Sequence, residues 1–461
     1  MKACIRLMTL CTILLSIAFI SSGSPVMAQL QDAGYTSGVQ VANLEDTDAT
    51  ITLTAYDASG GQAATINDTV PGGGSVTYFQ DARIPNGFSG SIVISSDKQT
   101  AALSNIVTTN FALGASYVGS DAGSTKVLLP LLQKKVGNYY SWFSVQNAGS
   151  GPAEVTVSYS TGETATANIP IGTAQVFDQQ QEGHPDGQSF SAEINSDQPI
   201  VAAVIIEDFN TIFAYTGFSS DTDTSTSPVF PLVNANNSGF VTGIQVQNAG
   251  AETTDVTLTY KPATLFGSVL GAECTETQTI EPNTSNTFAY QPFFQDIGLD
   301  IETNCAQGEL FVGSAVVTTN STKQPLVGIV NQLKFDSDGV TVQGEAYGSY
   351  SPDKATNKVV MPLIMDRNGV LYTGYQIVHV GGPASTISCA YSNTAVAGPS
   401  EELAVGGVLL NLQLGQISDR YIGSGTCTAS DSATKIVGVV NQLGDGSATD
   451  VFYVYEALNV Q

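Results

Sequence analysis

Few residues in this 461-residue sequence have the types and the spacing that catalysis requires. Its two histidines, His184 and His379, lie in unrelated contexts, and no nucleophile, zinc-protease or phosphate-loop motif accompanies them. His184 precedes a proline in a turn-like segment, so we expect it to be exposed to solvent. A pair of glycosidase carboxylates would leave no short motif, and a glycan-active hydrolase therefore stays open as an alternative. The sequence predicts a protein that is not an enzyme.

The cysteines indicate disulfides rather than metal ligands. Four of the six remain once a predicted N-terminal signal is removed, and they form two local pairs: Cys274 with Cys305, and Cys389 with Cys427. Neither pair has the short spacing of a zinc site. An even number of cysteines in an exported chain is typical of a disulfide framework. We therefore predict two disulfides, each closed within one segment of the chain.

Calcium is the only cofactor that the sequence suggests. Asp336 and Asp338 alternate with serine and precede a glycine, a spacing that lets carboxylate oxygens converge on a hard cation. The acidic residue that would complete an EF-hand is missing, and a simple turn between two strands explains the same residues. No cofactor other than a possible calcium ion is expected.

An aromatic cluster is the candidate binding surface. Trp142 is the only tryptophan, and it stands close to Tyr139 and Tyr140. Alternation along a strand would turn Trp142 away from the inward Phe143, and exposed rings could stack on a sugar. The alternative is that the same rings pack against the preceding domain or a loop. The first interpretation predicts a carbohydrate-binding surface, and the second predicts an internal contact.

An internal repeat indicates which elements position these residues. A short motif recurs in four versions, and an alternating strand follows each version at a constant distance. The versions are GVQVAN at 38–43, WFSVQN at 142–147, GIQVQN at 243–248 and GYQIVH at 374–379. A period of about a hundred residues is the size of a domain. Trp142 replaces the glycine that begins the other three versions.

The strand pattern predicts an all-β fold. Apolar and hydroxylic residues alternate in segments such as VTVSY at 155–159, turn residues recur between these segments, and helical periodicity is not evident. We therefore expect four tandem immunoglobulin-like antiparallel β-sandwich domains in an elongated array. The predicted bounds are 1–28 for a signal peptide and 29–120, 121–222, 223–350 and 351–461 for the four repeats.

A proline-containing strand sets the first repeat apart from the other three. Pro130, Pro231 and Pro362 each lie in an apolar segment near the start of a repeat, which predicts a strand at a sheet edge. The first repeat has no such segment after its predicted signal. Its sheet edge is therefore either short or covered, or it accepts a strand from another molecule and makes the protein a filament subunit.

The N-terminus and the charge of the chain indicate export. Lys2 and Arg6 precede an apolar run that ends before Ala28, where cleavage is expected. No second run is long enough to span a membrane. A formal net charge of −26 disfavours binding to nucleic acid. We expect a secreted protein that is extracellular or held noncovalently at the cell surface.

The order of a Pro-Leu strand, GIQVQN, a VTVSY-type strand and a GSAVV hairpin resembles the tandem β-sandwich repeats of secreted, mostly uncharacterised surface proteins of filamentous bacteria. The resemblance covers essentially the whole chain after the signal, and it brings neither catalytic residues nor a ligand. It implies an exported, repeat-built surface or extracellular protein. We expect a structural or adhesive rod whose partners are cell-surface or extracellular polymers or copies of itself. The alternatives are a carbohydrate-binding array, a strand-addition filament and a hydrolase.

Overall fold

The computed structural model describes residues 34–460 except 80, 111, 121, 266, 321–322, 393, 419 and 445–451. The predicted signal peptide and its cleavage site lie outside the described residues. The described chain is almost entirely antiparallel β-sheet, with one helix of four residues, α1 (Tyr290–Phe293). The all-β prediction is confirmed. Within the described ranges, no helix is long and apolar enough to cross a membrane.

The first repeat forms two sheets around a shared core. Its strands are β1 (Tyr35–Asn43), β2 (Ala49–Asp57), β3 (Gln62–Val70), β4 (Ser75–Phe79), β5 (Gly90–Ser96), β6 (Thr100–Thr108) and β7 (Gly114–Val118). One sheet has the order β4-β1-β6-β7 and the other has the order β3-β2-β5. In β2, Ile51, Leu53 and Ala55 are fully buried while the threonines between them are not. Alternation thus turns one face of the strand into the core.

In the second repeat, one long strand joins its neighbours into a single eight-stranded sheet. The strands are β8 (Ser124–Val136), β9 (Tyr139–Asn147), β10 (Ala153–Tyr159), β11 (Thr164–Ile169), β12 (Ala174–Asp178), β13 (Gln188–Glu207), β14 (Ile212–Thr216) and β15 (Phe218–Ser219). The first part of β13 pairs with β8 and β10, and the second part pairs with β9 and β14. A break in register between Asn195 and Ile200 separates the two parts.

The third repeat repeats this plan with separate sheets. Its strands are β16 (Val229–Ala235), β17 (Phe240–Asn248), β18 (Thr254–Pro262), β19 (Thr264–Leu265), β20 (Ser268–Val269), β21 (Cys274–Ile280), β22 (Ser285–Phe288), β23 (Glu302–Thr303), β24 (Phe311–Thr319), β25 (Leu326–Phe335) and β26 (Thr341–Gly348). The two main sheets have the orders β16-β24-β18-β21-β23 and β22-β17-β25-β26.

The fourth repeat has matching strands in matching places. They are β27 (Lys358–Asp366), β28 (Leu371–Gly381), β29 (Ser385–Tyr391), β30 (Ala397–Leu403), β31 (Val408–Gln413), β32 (Tyr421–Ala429), β33 (Lys435–Gly444), β34 (Phe452–Glu456) and β35 (Leu458–Asn459). Its sheets have the orders β30-β29-β32-β27-β35 and β31-β28-β33-β34. The proline-containing strands β8, β16 and β27 have no counterpart among the described residues of the first repeat.

Both predicted disulfides are present. The Sγ atoms of Cys274 and Cys305 are 2.11 Å apart, and those of Cys389 and Cys427 are 2.06 Å apart. The second bond joins residues that lie directly opposite each other on β29 and β32. Disulfides form and persist in oxidising compartments, so this feature fits an extracellular protein.

A tyrosine on the last main strand holds each proline-containing strand. The hydroxyl group donates to the carbonyl of the leucine after the proline, in the pairs Tyr215–Leu131 (2.6 Å), Tyr347–Leu232 (2.5 Å) and Tyr455–Leu363. The ladder changes register near each proline, because proline has no N–H to donate. Burial raises the pKa of all three tyrosines, which keeps them as neutral donors.

The repeats do not form an elongated array. Their last main strands pack in a closed order: β7 against β14, β14 against β26, β26 against β34, and β34 against β7. The first repeat thereby meets the fourth, and Gln40 Nε2 donates to the carbonyl oxygen of Pro362 at 3.3 Å. The predicted rod is wrong because the outer face of the motif strand is an internal surface. Gln40, on this outer face, is only 3% exposed.

A serine hydrogen bond links three of the four pairs of neighbouring repeats and has the same direction in each. The pairs are Ser91 with the carbonyl of Gly172, Ser191 with that of Asn283 (3.0 Å), and Ser424 with that of Gly73 (3.2 Å). The matching Ser314 Oγ of the third repeat has no partner among the described residues. Each bond runs from one repeat to a turn of the next, and the bond from Ser424 returns from the fourth repeat to the first. These bonds, together with the closed packing of β7, β14, β26 and β34, arrange the repeats as a ring.

Candidate functional site

Trp142 lies inside the molecule, at the junction of the first two repeats. Its side chain is only 7% exposed. It packs in an apolar cluster that includes Ile106, Leu113 and Tyr117 of the first repeat. The indole ring therefore has no open face for a sugar in this arrangement. The alternative interpretation, a contact with the preceding part of the chain, matches its surroundings.

Tyr139 and Tyr140 do not join Trp142 in one exposed platform. The hydroxyl of Tyr139 lies 2.9 Å from Thr211 Oγ1, and its ring meets the ring of Phe213 edge-on at 5.6 Å between centroids. Tyr140 is half-buried at the start of β9. Because successive residues of a strand point to opposite faces, Tyr139 and Tyr140 are directed away from each other.

The position of Trp142 explains why a tryptophan replaces glycine there. At the junction of the third and fourth repeats, β16 packs against β28 and β33, and Gly374 occupies the matching position on β28. The first repeat offers no equivalent strand among its described residues. In its place, Trp142, Val201 and Ile205 of the second repeat meet the first repeat directly. A large side chain thus fills the space that a strand fills elsewhere.

A partly buried carboxylate accompanies Trp142. The hydroxyl of Tyr35 and the indole N–H of Trp142 both donate to Glu207, and burial raises the pKa of this glutamate to about 7. Burial, followed by the charge of Glu207, also raises the pKa of Tyr35. Sequence reasoning missed Glu207. The available signal was an acidic residue that directly follows the apolar segment of β13.

A second carboxylate lies where three repeats meet. Glu345 is fully buried on β26. Its Oε2 accepts from the backbone N–H of Ser116 in the first repeat at 2.8 Å, and its Oε1 accepts from Ala214 in the second repeat at 3.0 Å and from Ala346 at 2.9 Å. One side chain thus accepts from backbone N–H groups of three repeats. This residue was also missed, although a glutamate between glycine and alanine in an apolar strand is unusual enough to notice.

Side-chain size is matched where the last strands meet. A Cβ atom added to Gly344 would lie 2.2 Å from the ring of Phe213, and one added to Gly114 would lie 2.5 Å from the ring of Tyr453. Real Cβ atoms do not approach ring atoms so closely. Each large ring of one repeat therefore fits against a glycine of the next, which fixes the contact between neighbours.

A cavity of about 570 Å³ lies at one end of this central strand cluster. The residues that follow the last main strands line it: Gly119, Gly217, Ser349 and Ala457. Glu456 also lines it and accepts from the backbone N–H of Gly348, and burial raises the pKa of Glu456. At the wall, Lys354 Nζ pairs with Asp223 Oδ1 at 2.7 Å. Ligand pockets commonly have volumes of roughly 300–1,000 Å³, so this size suits a ligand.

The predicted calcium residues lie in an exposed hairpin turn between β25 and β26. Asp336 Oδ1 accepts from the backbone N–H groups of Asp338 and Val340, both at 2.9 Å. The carboxylate thus closes its own turn. In the part of the chain that the structure describes, no three acidic, histidine or cysteine side chains are grouped to hold a metal. Calcium stays a prediction, which thermal unfolding with and without EDTA tests.

The two histidines occupy buried structural positions. His184 is 3% exposed, so the expectation that it is exposed is wrong. Its ring meets Tyr159 edge-on, and its Nε2 lies 3.1 Å from Gln179 Oε1. Burial lowers its pKa. His379 is fully buried, and neither ring nitrogen has a hydrogen-bond partner among the described residues.

His379 replaces an asparagine that forms hydrogen bonds to the following loop in the other repeats. In the third repeat, Asn248 Nδ2 donates to the carbonyls of Glu252 (2.8 Å) and Ile280 (3.1 Å), while its Oδ1 accepts from Gly250 at 2.9 Å. Asn43 and Asn147 make the matching sets of bonds. In these three repeats the last residue of the motif is therefore buried, and it ties the end of the sandwich by hydrogen bonds to the loop that follows it.

Comparisons with known proteins do not identify a family. No family model matches the sequence, and no curated protein matches it. A solved structure described as "Crystal Structure of Thermotoga maritima 1070" is 17% identical, over 21% of this chain and 96% of that chain, with a TM-score of 0.19. A TM-score this low carries no argument about fold or function. The comparisons do not bear on the resemblance to bacterial surface repeats.

Proposed function

We propose that the protein is a secreted, non-catalytic structural or adhesive protein. In this proposal its repeats are four immunoglobulin-like sandwich units that close into a ring. Its partners are cell-surface or extracellular polymers, which the loops around the ring contact. The two disulfides support the extracellular location.

The observation that carries this proposal is that the motif strands contact neighbouring repeats. Their outer faces, which could have presented a ligand surface, are occupied by neighbouring repeats. Gln376 Nε2 donates to the carbonyls of Pro231 and Gly313 in the third repeat, and Gln247 Nε2 donates to that of Ala192 in the second at 3.4 Å. Motif strands whose outer faces bind the neighbouring repeats are typical of a rigid scaffold.

The buried acids support a role without catalysis. Glu276, for example, accepts from the hydroxyl of Tyr260 at 2.6 Å, from the N–H of Ala289 at 2.8 Å and from Gln278 Nε2 at 2.9 Å. Glu207 and Glu345 are likewise engaged by groups of the protein itself. A general acid or base needs access to its substrate, and these carboxylates are enclosed by internal donors.

Sedimentation with cell envelopes tests the proposal. The purified secreted protein is mixed with envelopes of the producing cells and with their isolated polysaccharides, and the supernatant is assayed for reducing sugars and new amino termini. We expect the protein to sediment with the envelopes and to release no product. A heat-denatured sample is the control for trapping. Release of sugar or peptide in proportion to native protein would contradict a non-catalytic role.

A further inference from the structure

The space before each proline-containing strand is filled in the same way in the last three repeats. In the third repeat, Ser225 and Leu326 exchange two backbone hydrogen bonds, of 3.0 Å and 2.8 Å. In the fourth, the N–H of Ile436 donates to the carbonyl of Thr356 at 2.8 Å. In the second, Ser124 lies opposite Ile200. A hydroxyl residue thus adds a short extended segment to the start of β25, β33 or the second part of β13.

The three segments share a local shape. The hydroxyl oxygen accepts from the backbone N–H two residues later, in the pairs Ser124–Lys126 (3.2 Å), Ser225–Ser227 (3.1 Å) and Thr356–Lys358 (3.3 Å). Valine follows soon after in each: Val127, Val229 and Val359. The side-chain bond holds the segment extended as it enters the strand.

In the first repeat, the matching position opens into the cavity. Asn43 pairs with Thr100 as Asn248 pairs with Leu326, which makes Thr100 the counterpart of Leu326 and Ile436. Among the described residues no segment bridges to Thr100, and Thr100 lines the cavity. Thr100 also carries a hydroxyl where Leu326 and Ile436 carry apolar side chains. An edge that presents backbone N–H and C=O groups can accept an added strand.

The charges around the cavity favour a basic occupant. Glu456 lines it, and Lys354 is already paired with Asp223. Two of the three internal segments carry a lysine two residues after the hydroxyl, Lys126 and Lys358. An occupant of the same type would bring a positive charge to this edge of a strongly acidic protein.

We propose that this cavity is a binding site for an extended peptide segment of another protein, with a serine or threonine followed two residues later by lysine and then by valine. The segment adds to the Thr100 end of β6 by backbone pairing, as the internal segments add to β25 and β33. The site is independent of the envelope binding proposed above, so either property can fail without the other.

Titration with synthetic peptides tests the site. Peptides that copy residues 123–128 (GSTKVL) and 355–360 (ATNKVV) are added to the secreted protein in a calorimeter. We expect saturable binding of both, and an affinity lower by about tenfold or more for copies with alanine in place of the hydroxyl residue. The variant Ser120→Trp, at the cavity wall, should abolish binding. Ser337→Trp, on the exposed β25–β26 turn, is the matched control and should bind normally.

Hydrogen exchange separates this proposal from occupation by the chain itself. In the free protein, the amide of Thr100 should exchange faster than those of Leu326 and Ile436, and peptide should slow it. Absence of binding by either peptide, or equal binding by the Ser120→Trp variant with unchanged thermal stability, would overturn the proposal. So would a Thr100 amide that is already as slow as its counterparts, because the chain's own N-terminal residues would then fill the site.

Discussion

The junction of the first and second repeats differs from the junction of the third and fourth in what fills it. Between the third and fourth, the strand β16 packs against β28 and β33, and Gln376 Nε2 donates to the carbonyl of Pro231 on β16. Between the first and second, Trp142 fills the space and shares Glu207 with Tyr35. The space between neighbouring repeats is thus filled by a strand at one junction and by a single side chain at the other.

This difference shows how a ring of unequal repeats can close. A strand offers a continuous contact whose polar groups are paired, and single substitutions alter only part of it. A tryptophan concentrates the contact in one side chain, and the partly buried carboxylate beside it makes the junction sensitive to pH. We expect the first junction to be the more vulnerable of the two.

Trp142→Ala should produce the largest effect. Removing a buried tryptophan leaves a cavity between two repeats, and such truncations cost about 3–5 kcal/mol of unfolding free energy. The control is Gly243→Ala, at the matching position of the third repeat, where an added Cβ would meet nothing within 4 Å. Urea unfolding measures both. A loss below 1 kcal/mol for the tryptophan variant would show that the junction does not depend on this ring.

Sequence reasoning predicted the strands and the disulfides but not the closure, and Trp142 shows why. The alternation of Val39 and Val41 with Gln40 is that of a strand with one core side, and both valines lie in the core. It could not reveal that the other side is also buried, because glutamine and serine read as solvent-facing residues. The glycine-to-tryptophan change was visible, yet its cause, a contact between segments far apart in sequence, depends on the assembled structure.

Glu207→Gln should remove a pH dependence of stability. The pKa of Glu207 rises from 4.5 to about 7 through burial, with smaller contributions from the charges of Asp178 and Asp208. The folded protein then holds a proton that the unfolded chain has lost. The contribution of Glu207 to the unfolding free energy is therefore fully present below about pH 4.5 and is lost as the pH rises through about 7. A shift of this size corresponds to at most about 3 kcal/mol.

Urea unfolding of both proteins between pH 4.5 and 8 measures this effect. The unfolding free energy of the wild type, relative to that of Glu207→Gln, should fall as the pH rises across this interval. The surface variant Glu154→Gln serves as the control for a lost charge. Parallel stability profiles for wild type and Glu207→Gln would contradict a titrating carboxylate at this junction.

Gln376→Leu should weaken the third–fourth junction by less than Trp142→Ala weakens the first–second junction. It leaves the carbonyls of Pro231 and Gly313 without their side-chain donor, and buried groups that lose a partner cost about 1–3 kcal/mol. The backbone contacts of β16 remain. Thr386→Leu, at an exposed position of β29, is the control. A loss as large as that of Trp142→Ala would remove the proposed difference between the two junctions.

His379→Asn should stabilise the fourth repeat by about 1 kcal/mol. It replaces a buried imidazole without partners by the side chain that brackets the loop in the other repeats, which adds net hydrogen bonds. The reverse control, Asn147→Ala, should destabilise the second repeat. Thermal unfolding resolves both changes. A lower melting temperature for His379→Asn would show that the loop after β28 does not offer the same acceptors.

Small-angle X-ray scattering tests ring closure most directly. A compact protein of this length has a radius of gyration of about 22 Å, whereas an open row of four domains, roughly 150 Å long, would exceed roughly 40 Å. We predict a value near 22 Å for the purified protein at low concentration. A value above roughly 40 Å would contradict the contact between the first and fourth repeats, and with it the account of both junctions.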